Sequence, residues 1–244
     1  MYIYLCRLVA HEGVFFASKE VSQMYITMPY VGNYALTYAL GLANVQYLGR
    51  EKPSYKQDIS CRDIYVYPAK FIVCNWTLSS FNATGEGYYL KMGRNVVIDS
   101  AMLYRATKSQ IRAYNSPQIG QFKLIGPESE AIFFVKSTGP IDFPKFVRLG
   151  KFMSKCELIW QKLDYDKKAG EFFCKHPINP VDLSKDRYTL KGFNVVSIKP
   201  VPLIENVRAE GEYTEFDVQL EGSTEIFQIP IEVAYFSGME AETS

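Results

Sequence analysis

Apolar and polar positions along this chain repeat with the two-residue period of strands far more often than with the 3.6-residue period of helices. Tyr2 to Ala10 alternates aromatic and branched residues in the manner of a central strand. A corner at His11-Glu12-Gly13 follows, then the run Val14 to Glu20, then Tyr25 and Pro29, which cannot sit inside a regular helix. A helix is expected from about Tyr30, because Tyr34, Leu36, Tyr38, Leu40 and Leu42 together with Ala35, Ala39 and Ala43 make it apolar nearly all round, suited to packing flat on a sheet. Gly49 to Asp58 is a polar surface linker, and Ile64 to Val73 is a strand broken by Pro68. Ser79 to Gly87 is rich in turn residues, Tyr88 to Met92 is extended, and Ala131 to Val135 is a short apolar strand ended by Thr138-Gly139-Pro140. Residues 164–186 read as loop, with Pro177 and Pro180 among several lysines, and three further strands are expected at Tyr188–Lys199, Thr214–Leu220 and Ile226–Tyr235. The break near 164–186 divides the chain into a body, 1–163, and a β-rich C-terminal part, 164–244, either within one domain or as a second small one. No internal repeat, low-complexity tract or heptad is present.

Two segments carry candidate chemistry. Phe146 to Trp160 joins two strand-like runs through a basic bend: Val147, Leu149, Leu158 and Trp160 fall on alternating positions, while Arg148, Lys151 and Lys155 stand on or beside the bend. Gly150 admits a close backbone approach because it has no side chain. Such a bend serves either as a seat for a phosphate backbone or as a hairpin with a solvated basic face. The second segment, Val96 to Gly126, interleaves Tyr104 and Tyr114 with Arg105, Lys108 and Arg112. It reads either as an arm that stacks bases on its rings and pairs phosphates with its cations, or as a β-rich insertion whose tyrosines face a core.

Charge sharpens this picture. The net charge of +1 hides a division: residues 205–244 hold ten acids against Arg208, net −9, which leaves the first 204 residues with 26 bases and 16 acids, net +10. The windows 88–126 (six bases against Asp99) and 143–163 (five bases against Glu157) are the most basic, and a polyanion could lie along them. With 244 residues, 48% of them hydrophobic and 22% charged, the chain can bury a sizeable core. It has no apolar run of membrane-spanning length and no signal-peptide block at Met1 to Val9, so a cytoplasmic protein without a membrane partner is expected. Five cysteines, none at a two-residue spacing, argue for free thiols over disulfides or a zinc knuckle; with only His11 and His176 besides, no metal site is expected. Walker, Gly-x-Gly-x-x-Gly and Gly-x-Ser-x-Gly patterns are all missing, and no cofactor is expected. The one enzymatic option left is metal-free RNA cleavage with His11 as general base and Lys19 or Tyr25 stabilising the transition-state charge.

The opening Tyr2-Ile3-Tyr4, the His11-Glu12 corner, the run Phe15 to Glu20 and the segment Asn33 to Leu40 resemble the start of the Cas-five subunit of type I-D CRISPR Cascade, the Csc-one family. Arg148-Leu149-Gly150-Lys151 is similar to the glycine-and-basic motif of Cas-five proteins generally. The resemblance implies an α+β fold: a ferredoxin-like (RRM-like) palm carrying a β-hairpin thumb insertion at about 86–126, with additional C-terminal β-strands. It implies a non-catalytic subunit that caps the foot of Cascade, holds the five-prime handle of the CRISPR RNA (crRNA), packs against backbone and large subunits and can lie near the protospacer-adjacent motif of target double-stranded DNA. Only Arg148, Gly150 and Lys151 are carried over by motif; Lys155 and the arm residues rest on charge and spacing. Some relatives cut crRNA themselves, which keeps a metal-independent endoribonuclease using His11 as the alternative.

Overall fold

The computed structural model describes residues 1–21, 24–43, 55–59, 63–83, 118–220 and 222–238. Its centre is strand β1 (Tyr2–Ala10), which lies antiparallel between β9 (Glu130–Ser137) and β11 (Ser154–Leu163). The period-two pattern sends Ile3 and Leu5 into one core, with Ile132, Phe134 and Leu163, and sends Tyr4, Cys6, Leu8 and Ala10 into another on the opposite face, with Phe133, Val135, Cys156 and Leu158. A strand buried on both faces is central, as its sequence indicated.

The full sheet runs β10 (Phe146–Leu149), β11, β1, β9, β6 (Ala69–Val73), β4 (Tyr30–Val31), and β5 (Ile64–Val66) also pairs with β9. Pro68 separates β5 from β6 where the sequence placed the break. A second sheet, formed by β12 (Asp166–Cys174), β13 (Thr189–Val196), the 18-residue β14 (Leu203–Leu220) and β15 (Ser223–Pro230), contributes Phe172, Phe216 and Phe227 to the core shared with Ile3 and Leu5. A third contains β2 (Lys19–Val21), β3 (Met24–Ile26), β8 (Gln118–Ile125) and β7 (Trp76–Ala83).

This architecture overturns the α+β ferredoxin-like palm: the described residues are mostly strand, in several curled sheets that are antiparallel but for the parallel β3–β8 pair, with only two α-helices, α1 (Asn33–Ala39) and α2 (Tyr55–Asp58). The apolar stretch that promised a longer helix is cut short at both ends. Tyr30 and Val31 pair with Lys70 and Ala69 as a strand. At the other end Gly41, at φ +71°, turns the chain: its amide donates to the Tyr38 carbonyl and that of Leu42 to Thr37, the paired bonds of a Schellman stop. α1 and its C-cap pack Leu36 and Leu40 on the Tyr4, Cys6 and Leu8 face of the central sheet, and the second sheet covers the opposite face. Residues 166–174, read as loop, are strand β12: their charged side chains are mostly solvated, but the backbone pairs along β14 from Asp166↔Glu215 to Cys174↔Val207. Of the arm expected at about 86–126, residues 86–117 lie outside the described residues, and 118–125 form β8, which pairs antiparallel with β7.

Asp182, fully buried in a short 3₁₀ turn (Pro180–Asp182), ties distant segments together. Its carboxylate accepts from Asn33 Nδ2 (2.6 Å), Tyr65 Oη (2.9 Å), Tyr34 Oη (3.4 Å) and the Phe236 amide (2.9 Å). Burial pushes its pKa up to about 6, against the pull of these four donors. His176 is buried neutral, with a ring nitrogen 2.7 Å from the Pro68 carbonyl and its ring edge-on to Phe134; burial drives its pKa down to about 3.

Asp182→Asn turns an amide NH₂ toward donors, and a loss of about 2–4 kcal/mol is expected in denaturant unfolding at pH 7. The two buried groups have opposite pH signatures. His176, depressed in the fold, contributes stability above pH 6.5 that is lost as pH falls toward 3; Asp182, raised, contributes stability below pH 3.8 that is lost as pH rises through about 6. In thermal melts His176→Gln should therefore lose less stability than the parent between pH 6.5 and 4.

Candidate nucleic-acid interface

The basic bend is a β-hairpin. β10 and β11 pair in the register Phe146↔Glu157, Val147↔Cys156, Arg148↔Lys155 and Leu149↔Ser154, with residues 150–153 as the turn. Val147, Leu149 and Leu158 are buried as the alternation requires, but Trp160 is 41% exposed. The opposite parity puts Phe146, Arg148, Lys155, Glu157 and Ile159 on the sheet face that Ile3 and Leu5 share, beyond the cover of the second sheet. Arg7, on that same face of β1, marks the border: it pairs with Glu130 at 3.3 Å and donates to the Gln219 carbonyl of β14.

Arg148 and Lys155 are like charges directly opposite one another, an arrangement that costs energy unless an anion intervenes. Glu12 supplies it: its Oε2 accepts the Lys155 amide at 2.8 Å and lies 3.5 Å from the Arg148 guanidinium, which also donates to the Met153 carbonyl at 3.1 Å. Phe146, 41% exposed, is the ring at the centre of the face. The Lys155 ammonium sits 4.1 Å from its centroid, that of Lys145 at 5.4 Å, and the His11 ring meets it edge-on at 5.9 Å. Glu157 pairs with His11 (3.3 Å) and Lys145 (3.8 Å). Cys156, on the buried side of β11, is inert: burial pushes its thiol up to about 12.

Gly150 is required by geometry. Its φ is +72°, and a Cβ there would lie 2.5 Å from the Phe15 carbonyl oxygen. That carbonyl accepts the Lys151 amide at 2.8 Å, so the close approach anticipated for this glycine is made by the chain's own backbone. The Lys151 side chain is exposed and has no partner among the described residues. The turn is pinned further by Ser154 Oγ donating to the Gly13 carbonyl at 2.7 Å and His11 N donating to Lys155 O at 3.0 Å.

A cluster of three rings that sequence reading did not bring together joins this hairpin to β8. Phe152 in the turn packs on Phe15 (5.0 Å) and on Phe122 of β8 (5.6 Å), and Phe15 packs on Phe122 (4.8 Å). Beside it on the third sheet, Lys123 lies 4.2 Å over Trp76, itself 41% exposed. The structure thus brings Arg148, Gly150, Lys151 and Lys155 together beside β8. Tyr104, Arg105, Lys108, Arg112 and Tyr114 lie outside the described residues. Of the residues considered for catalysis, Lys19 stands on β2 and Tyr25 on β3, while His11 is engaged by Glu157 and Phe146.

Cys6, Cys74, Cys156 and Cys174 are free, and no cluster of three or more metal-ligating side chains occurs among the described residues. No helix among them is long and apolar enough to cross a membrane. These features define a β-rich protein with a pinned basic hairpin packed beside the β7–β8 pair. Its sequence matches the family described as type I-D CRISPR-associated protein Cas5/Csc1 over residues 1–238, and the chain belongs to that family, as its opening motifs indicated. Its role is accordingly CRISPR-associated. No curated protein matches it. A crystal structure of a CRISPR protein from Archaeoglobus fulgidus is similar over 94% of this chain and 100% of that one, at 12% identity and a TM-score of 0.45.

Gly150→Ala forces a left-handed backbone and a carbonyl clash; unfolding titrations should show a loss of about 1–3 kcal/mol. Gly139→Ala, where an added Cβ meets nothing within 4 Å, should stay within about 0.5 kcal/mol of the parent.

Proposed function

We propose that the chain is a non-catalytic crRNA-binding subunit of a cytoplasmic type I-D Cascade complex. It caps the foot by holding the five-prime handle of the crRNA, packs against the backbone and large subunits, and lies near the protospacer-adjacent motif of target double-stranded DNA. The observation that carries this reading is the continuity of the hairpin with the arm base: Phe146 offers a half-exposed ring, Arg148, Lys151 and Lys155 surround it or follow it through the turn, and Phe152 locks that turn to β8. Handle bases unstacked on Phe146 and on Tyr104 and Tyr114 of the arm would be held by rings, while Arg148, Lys151, Arg105, Lys108 and Arg112 position phosphates. Glu12 and Glu157 partly neutralise the hairpin, so Lys151 and the outer donors of Arg148 are its most available cations. One contact favours the endoribonuclease alternative: Glu157 Oε2 stands 3.3 Å from His11 Nε2, as an orienting carboxylate would.

Replacing Arg148 and Lys151 together with alanine should weaken binding of handle RNA and make the slope of log K against log salt shallower by about 1.4, the contribution of two single-strand phosphate contacts. An unchanged slope contradicts the proposal. Incubating the chain with repeat RNA in EDTA separates the two readings: intact RNA is expected, whereas discrete cleavage lost in His11→Ala would establish the nuclease.

A further inference from the structure

β10 is four residues long and β11 is ten, so the partner strand runs out halfway. Glu157 is the last residue of β11 opposite a β10 residue, and the Leu158 amide donates to the Lys145 carbonyl at 2.8 Å. Backbone groups alternate between the two edges of a strand, so the next outward amides and carbonyls belong to Trp160 and Lys162, and β11 has no neighbour there among the described residues. Ile159, Trp160, Gln161 and Lys162 are all exposed, Ile159 at 52% on the Phe146 face and Trp160 at 41% on the opposite one. An open edge with a large apolar side chain on each face is a template for another strand. Trp160 is held rigidly for that purpose: buried Tyr4 meets it edge-on at 5.8 Å and buried Phe143 at 5.4 Å.

We propose that the β11 edge from Ile159 to Lys162 is a docking site for an extended segment of another protein, one in which apolar residues alternate with acidic ones. The charges select that occupant. Lys162, held 4.7 Å over the Tyr2 ring, is the one charged side chain in the exposed stretch, and Lys145 stands at its near end, most of its side chain in solvent. Glu157 is already taken up by His11 and Lys145. Lysine on an open edge repels a second copy of the same edge and attracts acids. The free backbone donors and the apolar residues on both faces suit a peptide strand, whose side chains alternate in the same way, better than a nucleic acid, which brings no ladder of amides.

The inference rests on the proposed membership in a multi-subunit complex, and the test separates the two. The chain is purified in complex after co-expression with the other subunits of its system and a CRISPR array, and amide hydrogen exchange of residues 158–163 is compared with that of the isolated chain, before and after ribonuclease digestion. Protection of the Trp160 and Lys162 amides by about tenfold or more, surviving digestion, is the expected result. Lys162→Pro, which removes one outward donor at an edge position where proline is tolerated, and Lys162→Glu, which reverses the charge, should each abolish the protection while RNA binding through the opposite face persists. An unprotected edge in an assembled, RNA-loaded complex overturns the inference and leaves the RNA-binding reading intact. Protection that disappears with the RNA assigns the edge to nucleic acid, and protection that grows with concentration in the isolated chain assigns it to a second copy; either result overturns it. A chain that never assembles with other subunits removes the proposed membership and this inference with it.

Discussion

The buried carboxylate of Asp182 is the constraint on which the arrangement of this molecule depends. It collects donors from α1 (Asn33 and Tyr34), β5 (Tyr65) and the C-terminal segment (Phe236), while the Asp182 carbonyl accepts from Ser237 Oγ at 2.6 Å. A charge removed from water survives only when it is this fully hydrogen-bonded, so three segments far apart in sequence must meet at one point. That meeting fixes the second sheet over the Ile3, Leu5 and Phe134 end of the central sheet. The other end, where Phe146, Arg148 and Lys155 stand, is left uncovered.

The uncovered end is organised by backbone contacts more than by salt bridges. Phe15, Gly13 and His11 hold the hairpin through their main-chain groups, and Gly150 allows the closest of these approaches. Side-chain charges are then free to face outward, tempered by Glu12 and Glu157. The rings of Phe15, Phe122 and Phe152 join the bend to β8.

Much of this was legible in the sequence wherever a period of two bears on burial. β1, β5 with β6 and the β10–β11 hairpin were read from alternation and from Pro68, and β9 from its unbroken apolar run. β12 was missed because its charges and glycine hide the alternation of a strand whose partner, β14, lies far along the chain, where Lys168 meets Glu215 and Phe172 stacks on Tyr213. The short helix was overestimated because apolar periodicity does not show where a helix stops; Gly41 was the available stop signal. The palm itself failed because a helix-covered and a sheet-covered face ask for the same inward residues. At the site, Arg148, Gly150, Lys151 and Lys155 were visible as cations around a glycine, but Glu12 as the counter-ion of Arg148 and Phe122 as the anchor of the turn depend on contacts 136 and 30 residues apart in sequence, which spacing alone does not reveal.

The role proposed for this basic face is to hold the handle of a crRNA. The most direct measurement is ultraviolet crosslinking of the complex purified through this chain from cells carrying a type I-D array, with the crosslinked peptides and nucleotides identified together. RNAs sharing one five-prime handle are expected, with handle nucleotides attached to the peptide spanning Phe146 to Phe152. RNA of random sequence, or a uniform handle crosslinked only to other parts of the chain, would contradict it.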